Sequence, residues 1–437
     1  MGVRQPALEG LVTAGTQATE GVSGTRDVGA PRCRSCGATL TETFADLGTS
    51  PLANGFLTEE QLGLGEPFYP LRVLVCGSCL LVQLPPVVSP AEIFSDYAYF
   101  SSFSDSFVAH ARDYAEQMTE RLGLDSSSRV VEIASNDGYL LRHFVERGVP
   151  VLGIEPAGNV AAAAEEAGVA TRIEFFTRDL AETLLGEGEA ASLVIANNVL
   201  AHVPDLNGFV EGMRLLLAPG AFVTVEFPHL LRLMELTAFD MIYHEHLFYF
   251  SLLSVEQVFR RAGLQVVDVE EVETHGGSLR VHASRDDEDR QPDASVAAWR
   301  SRELAAGLDR IETYTSFEER VRRSKLDLLE FLVGAKREGR SIAAYGAAAK
   351  ATTLLNYCGI RRDFVDYVVD RSPHKQGRYI PGTHVPIRGP EEVGRTRPDY
   401  LLLLAWNLAR EIMEQMSFVK DFGCRFVVPI PEPAVIG

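Results

Sequence analysis

The sequence predicts an α/β protein in which a small metal-binding module precedes two Rossmann-like domains. Two CxxC pairs indicate the module. From Arg129 onward, apolar β-branched runs alternate with amphipathic segments, which predicts a parallel sheet covered by helices on both faces. A second strand, turn and helix begins at Ser341. The 437 residues of the chain are enough for two or three domains.

Composition and charge exclude several classes of protein. Hydrophobic content of 46% and charged content of 23% are ordinary for globular proteins. The net charge of −19 argues against broad nucleic-acid binding, and no apolar run approaches the ~20 residues that span a bilayer. Residues 1–30 lack the basic start and apolar core of a secretion signal. We therefore expect a disordered extension there and a cytoplasmic protein; a monomer is compatible with the sequence, which leaves the oligomeric state open.

Four cysteines form two closely spaced pairs, Cys33 with Cys36 and Cys76 with Cys79. Thiolates at this spacing can reach one tetrahedral Zn²⁺, and a second pair completes its shell. Disulfides would need an oxidising compartment, and a thioredoxin-like motif would need only one pair. The spacing predicts a zinc-binding module over residues 31–90. Its metal should be structural, because four thiolates leave no open coordination position.

The stretch from Val130 to Tyr139 predicts a strand, a tight turn at Gly138 and a helix. Backbone N–H groups at such a helix N-terminus suit a nucleotide-like ligand. The next apolar run ends in Glu155, a suitable acceptor for a ribose diol, and a later strand ends in Asn197 and Asn198. Ligands of open α/β sheets lie at the carboxyl ends of strands, so these side chains should share one crevice. An ordinary βα turn without a ligand is the alternative.

The segment Tyr243-His-Glu-His246 puts a phenol, two imidazoles and a carboxylate into four consecutive residues. Removing a proton near pH 7 needs a base tuned close to that pH, and His beside Glu supplies one. The two imidazoles could instead bind a metal, although no third ligand stands at an informative spacing. Structural polar packing is a further alternative. A Tyr-rich stretch that includes Tyr97 could line the same pocket.

The C-terminal half contains a predicted anion site. The small residues of Tyr345-Gly-Ala-Ala-Ala-Lys350 would let the backbone approach a phosphate, with Lys350 and a helix N-terminus adding positive charge. The basic loop from Arg371 to Pro381 stands out in an acidic protein, and includes Lys375, Arg378 and Tyr379. A solvated surface loop is the alternative reading of this charge.

Together these motifs resemble those of the nucleotide-sugar C-methyltransferases of antibiotic deoxysugar pathways, over nearly the whole chain from about Cys33. Besides the double CxxC module, the motifs are Glu132-Ile-Ala-Ser-Asn-Asp-Gly138, Asn197-Asn-Val-Leu-Ala-His202, Tyr243-His-Glu-His246, Thr274-His-Gly-Gly-Ser-Leu-Arg280 and Tyr345-Gly-Ala-Ala-Ala-Lys350. The general glycine motif of methyltransferases is replaced by Ala-Ser-Asn-Asp-Gly, which is a variant of this family.

The resemblance implies a class I methyltransferase domain over residues 91–284, which binds S-adenosyl-L-methionine. It also implies a Rossmann-like domain over residues 285–437, which binds a thymidine-diphosphate (TDP) 4-keto deoxysugar. The implied cofactor contacts are Glu132, Ser135, Asn136, Asp137, Gly138, Glu155, Asn197 and Asn198. The implied substrate contacts are His275, Gly276, Gly277, Ser278 and Lys350, and the basic loop adds Lys375, Arg378 and Tyr379 as expected contacts.

The same resemblance implies the reaction. His246 is the expected general base, Glu245 orients it or shares its role, and the side chains expected around the sugar ring are Tyr243, His202 and Tyr97. The base would remove the proton beside the ketone, and the enolate carbon would accept the methyl group, with C3 as the expected position and C5 as the alternative. Methylation on oxygen or nitrogen, a nicotinamide-dependent oxidoreductase and a zinc-ribbon nucleic-acid-binding protein are the alternatives.

Overall fold

A computed structural model describes residues 30–88, 101–103 and 105–437. The predicted disordered extension therefore lies outside the described residues except for Ala30, and Tyr97 lies outside them entirely. Within the described part of the chain, no helix is long and apolar enough to cross a membrane.

The strands are β1 Glu42–Ser50, β2 Tyr69–Val75, β3 Val82–Gln83, β4 Val130–Ile133, β5 Val151–Ile154, β6 Thr171–Arg172, β7 Ala191–Ile195, β8 Leu217–Pro228, β9 Phe248–Tyr249, β10 Leu264–Val272, β11 Ser278–Arg285, β12 Ile342–Tyr345, β13 Val368–Val369, β14 Ile387–Arg388, β15 Tyr400–Leu403, β16 Arg425–Val428 and β17 Ala434–Ile436. The α-helices are α1 Asp105–Leu122, α2 Leu141–Val145, α3 Gly158–Glu166, α4 Arg178–Gly186, α5 Leu206–Leu216, α6 Leu230–Glu235, α7 Leu252–Arg261, α8 Ala294–Ala305, α9 Ile311–Thr315, α10 Phe317–Arg337, α11 Ala349–Cys358, α12 Glu391–Thr396 and α13 Ala409–Gln415.

The central sheet has the order β10-β11-β8-β7-β4-β5-β6. All its strands run parallel except β11, which lies antiparallel between β8 and β10. This confirms the class I methyltransferase fold, and β11 departs from the parallel sheet that the alternating runs predict. Because β5 lies on one side of β4 and β7 on the other, the strand order reverses at β4, and a crevice opens at the carboxyl ends of these strands.

The C-terminal sheet has the order β14-β13-β12-β15-β16-β17, and only β17 is antiparallel to its neighbour. Parallel strands of this kind need crossover connections, and α11 follows β12 in the manner of a Rossmann fold. The second Rossmann-like domain predicted from the sequence is therefore present.

The N-terminal module packs against both Rossmann-like domains. Its antiparallel sheet, β1-β2-β3-β9, takes its last strand from residues 248–249 of the central part. On the other side, the ring of Phe44 in β1 stacks on that of Phe317 in α10, with ring centroids 4.5 Å apart. The three parts thus share cores, and the limits 31–90, 91–284 and 285–437 stay a prediction.

Candidate active site

One cavity of about 740 Å³ opens at the carboxyl ends of the central strands, and all three parts of the chain line it. The predicted site residues on its wall are Asn136, Glu155, Asn197, Asn198, His202, Tyr243, Glu245, His246, Lys350 and Lys375. The tertiary structure therefore joins four of the predicted cofactor residues, the predicted base and both predicted substrate-binding lysines in one space.

The turn after β4 has three left-handed residues at alternate positions. Ala134, Asn136 and Gly138 have φ of 56°, 50° and 72°. Only the last of them strictly needs glycine, since a Cβ there would lie 2.9 Å from Cγ2 of Val169. The turn thus keeps the backbone of a glycine-rich loop although only one of the three residues is glycine.

Glu155 is held by one backbone N–H group of the turn after β4 and by one just after Glu155 itself. Its carboxylate accepts hydrogen bonds from the backbone N–H groups of Asn136 (3.0 Å) and Ala157 (2.9 Å), one at each oxygen. Burial raises the pKa of Glu155. Each oxygen keeps a further lone pair, and the side chain faces the cavity, so the carboxylate can accept hydrogen bonds from two ribose hydroxyls.

Several buried polar atoms beside the cavity lack a hydrogen-bond partner among the described residues. They are Oε2 of Glu132, Oγ of Ser135, Oδ1 of Asp137, Oδ1 of Asn197, and Nδ2 and Oδ1 of Asn198. Each such atom costs about 1–3 kcal/mol when it stays unpaired. A polar ligand such as S-adenosyl-L-methionine would satisfy those on the wall, so the residues fit this cofactor. The predicted cofactor residues that lie behind the cavity lining are Glu132, Ser135, Asp137 and Gly138. Burial raises the pKa of Glu132 well above its ordinary value, and the nearby charges of Glu155 and Asp137 raise it further.

His246 is fixed at both ring nitrogens. Nδ1 lies 2.8 Å from the carbonyl oxygen of Met241, which can only accept, so Nδ1 carries the proton in the neutral ring. The hydroxyl of Tyr243 then donates to Nε2 at 2.7 Å. Nε2 is therefore the basic nitrogen, and the Tyr243 phenol is hydrogen-bonded to it. Neither hydrogen bond involves Glu245, so the structure does not show Glu245 orienting this imidazole.

Glu245 and His202 are ionisable groups whose pKa values are shifted by burial. Burial raises the pKa of the Glu245 carboxyl to about 7, which a hydrogen bond from the Asn54 side chain partly offsets. Burial lowers the pKa of His202 to about 4, and its ring packs edge-on to that of His246 with centroids 5.0 Å apart. The site thus combines a carboxyl poised near neutral pH with an imidazole that stays neutral. Asn54 was not predicted from the sequence, because no motif in the adjacent residues indicates a functional role.

The C-terminal domain contributes positive charge. Lys350, in the first turn of α11, donates to Oδ1 of Asn407 at 2.7 Å and lies 5.3 Å from the ring centre of Trp406. Trp406 donates in turn to Oδ2 of Asp240 at 2.7 Å. The Lys375 ammonium donates to the Ala347 carbonyl at 2.9 Å. Two lysines and the start of α11 therefore face the cavity together, an arrangement that favours an anion.

Other predicted substrate residues lie away from the cavity lining. Tyr379 exchanges backbone hydrogen bonds with Leu57, and Arg378 donates to the Phe56 carbonyl at 3.3 Å. These two residues hold a loop of the zinc module. Gly276, Gly277 and Ser278 form the turn into β11, where Gly276 lies beside Trp406 and Ser278 donates to the Thr274 carbonyl; nothing is described of the His275 side chain.

The four cysteines of the module fit a tetrahedral zinc ion. Their sulfur atoms all lie within 4.8 Å of one another, with 3.6 Å between Cys33 and Cys79 and 3.5 Å between Cys36 and Cys76. Tetrahedral Zn–S bonds of about 2.3 Å require sulfur separations of about 3.8 Å. Arg34, between the first two cysteines, donates to the carbonyl of Leu247, so the zinc knuckle reaches the residue after His246.

Comparisons with known proteins agree with this geometry. Three family profiles match successive parts of the chain: "Putative zinc binding domain" over residues 33–94, "Methyltransferase domain" over residues 107–269 and "C-methyltransferase C-terminal domain" over residues 273–431. The protein C-methyltransferase NovU of Streptomyces niveus is 37% identical over 404 residues, which cover 92% of this chain and 96% of that protein. The chain belongs to the C-methyltransferase family. It is an S-adenosyl-L-methionine-dependent C-methyltransferase with a zinc-binding N-terminal domain.

Similarity to solved structures is low and adds no argument of its own. The magnesium protoporphyrin IX methyltransferase of Synechocystis PCC 6803 is 14% identical, covers 45% of this C-methyltransferase and 88% of its own chain, and has a TM-score of 0.32. The CcbJ methyltransferase of Streptomyces caelestis is 15% identical, covers 40% and 89%, and has a TM-score of 0.32. The family assignment rests on the sequence matches.

Proposed function

We propose that this C-methyltransferase acts on a TDP-linked 4-keto deoxysugar and methylates a carbon beside the ketone, with C3 as the expected position and C5 as the alternative. The observation that supports this most is a fixed Tyr243–His246 pair in the same cavity as a basic helix start. A carbon acid needs a base, and a sugar diphosphate needs positive charge. The cavity supplies both.

The base in this proposal is His246. A ketone acidifies the neighbouring C–H, and Nε2 is the atom that can take that proton. Since the Tyr243 hydroxyl lies 2.7 Å from Nε2, the proton reaches the imidazole either directly or through the phenol oxygen. Glu245 can share the role near pH 7 because of its raised pKa. Once Nε2 has taken the proton, the Tyr243 hydroxyl can donate to the enolate oxygen instead. His202 and Tyr97 stay predictions for the same task.

The two ends of the cavity would hold the two ligands. When bound, S-adenosyl-L-methionine supplies an electrophilic methyl group on its sulfonium. Glu155 would accept from its ribose, while Asn197 and Asn198 would pair their free amide atoms with its polar groups. Lys350 and Lys375 would bind the diphosphate of the sugar nucleotide. Roles for His275, Gly276, Gly277, Ser278, Arg378 and Tyr379 in substrate binding stay predictions, and a cytoplasmic location is inferred from the thiolate zinc site.

The test uses TDP-4-keto-6-deoxyglucose in heavy water. With S-adenosyl-homocysteine in place of the methyl donor, the enzyme should exchange the C3 proton for deuterium, as followed by NMR. With the methyl donor, mass spectrometry should show one added methyl group, and NMR should place it on C3. TDP-glucose, which lacks the ketone, is the control and should do neither. Methylation without exchange, or failure with every 4-keto sugar nucleotide tried, would refute the proposal.

A further inference from the structure

The loop between β1 and β2 brings a zinc-module side chain to the active-site cavity. Nδ2 of Asn54 donates to Oε1 of Glu245 at 2.7 Å. Asn54 itself is exposed, whereas Glu245 is 6% exposed, and both line the cavity. The contact therefore joins an accessible amide to a buried carboxyl at the predicted reaction centre.

The C-terminal domain fixes the position of this loop. The Thr352 hydroxyl in α11 donates to the carbonyl of Ala53 at 2.8 Å, and this contact is buried. Leu57 and Tyr379 exchange backbone hydrogen bonds of 3.1 and 2.9 Å. The backbone is thus anchored immediately before Asn54 and three residues after it. An asparagine on a free surface loop would have no such restraint, so the amide is presented to Glu245 in a defined direction.

We propose that Asn54 is a positioning residue for the reaction: its amide holds the Glu245 carboxylate in the orientation in which it serves the substrate. The inference rests on the proposed function, in which Glu245 takes part in proton transfer. Under this proposal the zinc module contributes to the reaction through Asn54. Its metal would not take part directly, because four cysteines leave no open coordination position.

The electrostatic setting supports this role. Burial favours the neutral Glu245 carboxyl, and the Asn54 hydrogen bond opposes that by favouring the carboxylate. The other ionisable side chains on the cavity wall are Tyr139, Glu155, Arg178, His202, Asp205, Tyr243, His246, Lys350 and Lys375. Removing the amide should therefore raise the pKa of Glu245 further. If the carboxylate is the active form, the rise of kcat with pH should move to higher pH.

The experiment measures kcat and KM against pH for the full-length, zinc-loaded enzyme and its variants. Asn54→Ala should move the acidic limb of the kcat profile upward by about one pH unit, the size expected for a lost hydrogen bond to a charged group, and lower kcat about five-fold at pH 7. Affinity for S-adenosyl-homocysteine and zinc content should not change. Asn54→Gln, which keeps the amide, should recover part of the loss. Asn54→Asp, which brings a second carboxylate, should show a larger shift.

A double variant separates positioning from a general loss of structure. If Asn54 acts through Glu245, adding Asn54→Ala to Glu245→Gln should not lower the residual kcat further. An additive loss, or an Asn54→Ala profile that coincides with wild type, would overturn the inference. If Glu245→Gln retains full activity and its pH profile, the proposed role of Glu245 fails instead. The two ideas can therefore fail separately.

Discussion

Replacing His246 with asparagine tests the proposed base most directly. Asparagine is smaller, cannot accept a proton near neutral pH, and leaves the wall of the cavity otherwise in place. In the wild type, the ring donates to the Met241 carbonyl at 2.8 Å and receives the Tyr243 hydroxyl at 2.7 Å. The variant loses the basic nitrogen while the cofactor residues around Glu155 are untouched.

The expected magnitude follows from these contacts. A positioned general base contributes about 10²–10⁴-fold, so kcat should fall by at least about 100-fold. Two hydrogen bonds at a partly buried ring are weakened, which should lower the free energy of unfolding by about 1–3 kcal/mol. Affinity for S-adenosyl-homocysteine should change less than about three-fold, because His246 makes none of the hydrogen bonds that hold Glu155.

The assay combines turnover, deuterium exchange and calorimetry. His246→Asn should lose exchange of the C3 proton in parallel with methylation, while calorimetry shows cofactor binding intact. His244→Asn is the matched control, because its ring donates to the Pro70 carbonyl of β2 and does not line the cavity. That variant should lose some stability and keep most of its kcat. If His246→Asn keeps more than a tenth of wild-type exchange, His246 is not the base.

Three further predictions concern cofactor, fold and metal. Glu155→Gln should weaken S-adenosyl-homocysteine binding about 10-fold in calorimetry at pH 8, because the carboxylate is the acceptor. For the same reason, wild-type affinity should fall as the pH drops through the raised pKa of Glu155. Equal affinities of the variant and the wild type at pH 8 would contradict this. Gly346→Ala should lower the midpoint of thermal unfolding, since φ is +99° and the new Cβ would lie 2.8 Å from the Cβ of Ala405. The expected loss in the free energy of unfolding is about 2 kcal/mol or more. An unchanged midpoint would show that the turn relaxes. Cys76→Ser should lower both the bound zinc, as found by metal analysis, and kcat, because β3 of the module pairs with β9 just after His246. Full activity in a variant without zinc would show that the active site does not depend on the zinc module's metal.

Much of this protein could be predicted from local sequence. The cysteine spacing indicated a zinc module, because one ion needs ligands on two short turns. Alternating apolar runs indicated two Rossmann-like domains, because strand and helix periods are local properties of the chain. The fold class and the S-adenosyl-L-methionine and zinc cofactors are confirmed. The individual site residues stay predictions, although the structure brings ten of them to one cavity.

What local sequence could not supply is contact between distant segments. Asn54 and Glu245 are 191 positions apart, and Asp240 and Trp406 are 166 apart. Arg378 and Tyr379 were predicted as substrate residues from their charge and loop context, yet in the structure they hold the loop that carries Asn54. Hydrophobic period and turn chemistry determine which elements form. Which loops meet over the cavity depends on how three packed cores fit together, and only the tertiary structure decides that.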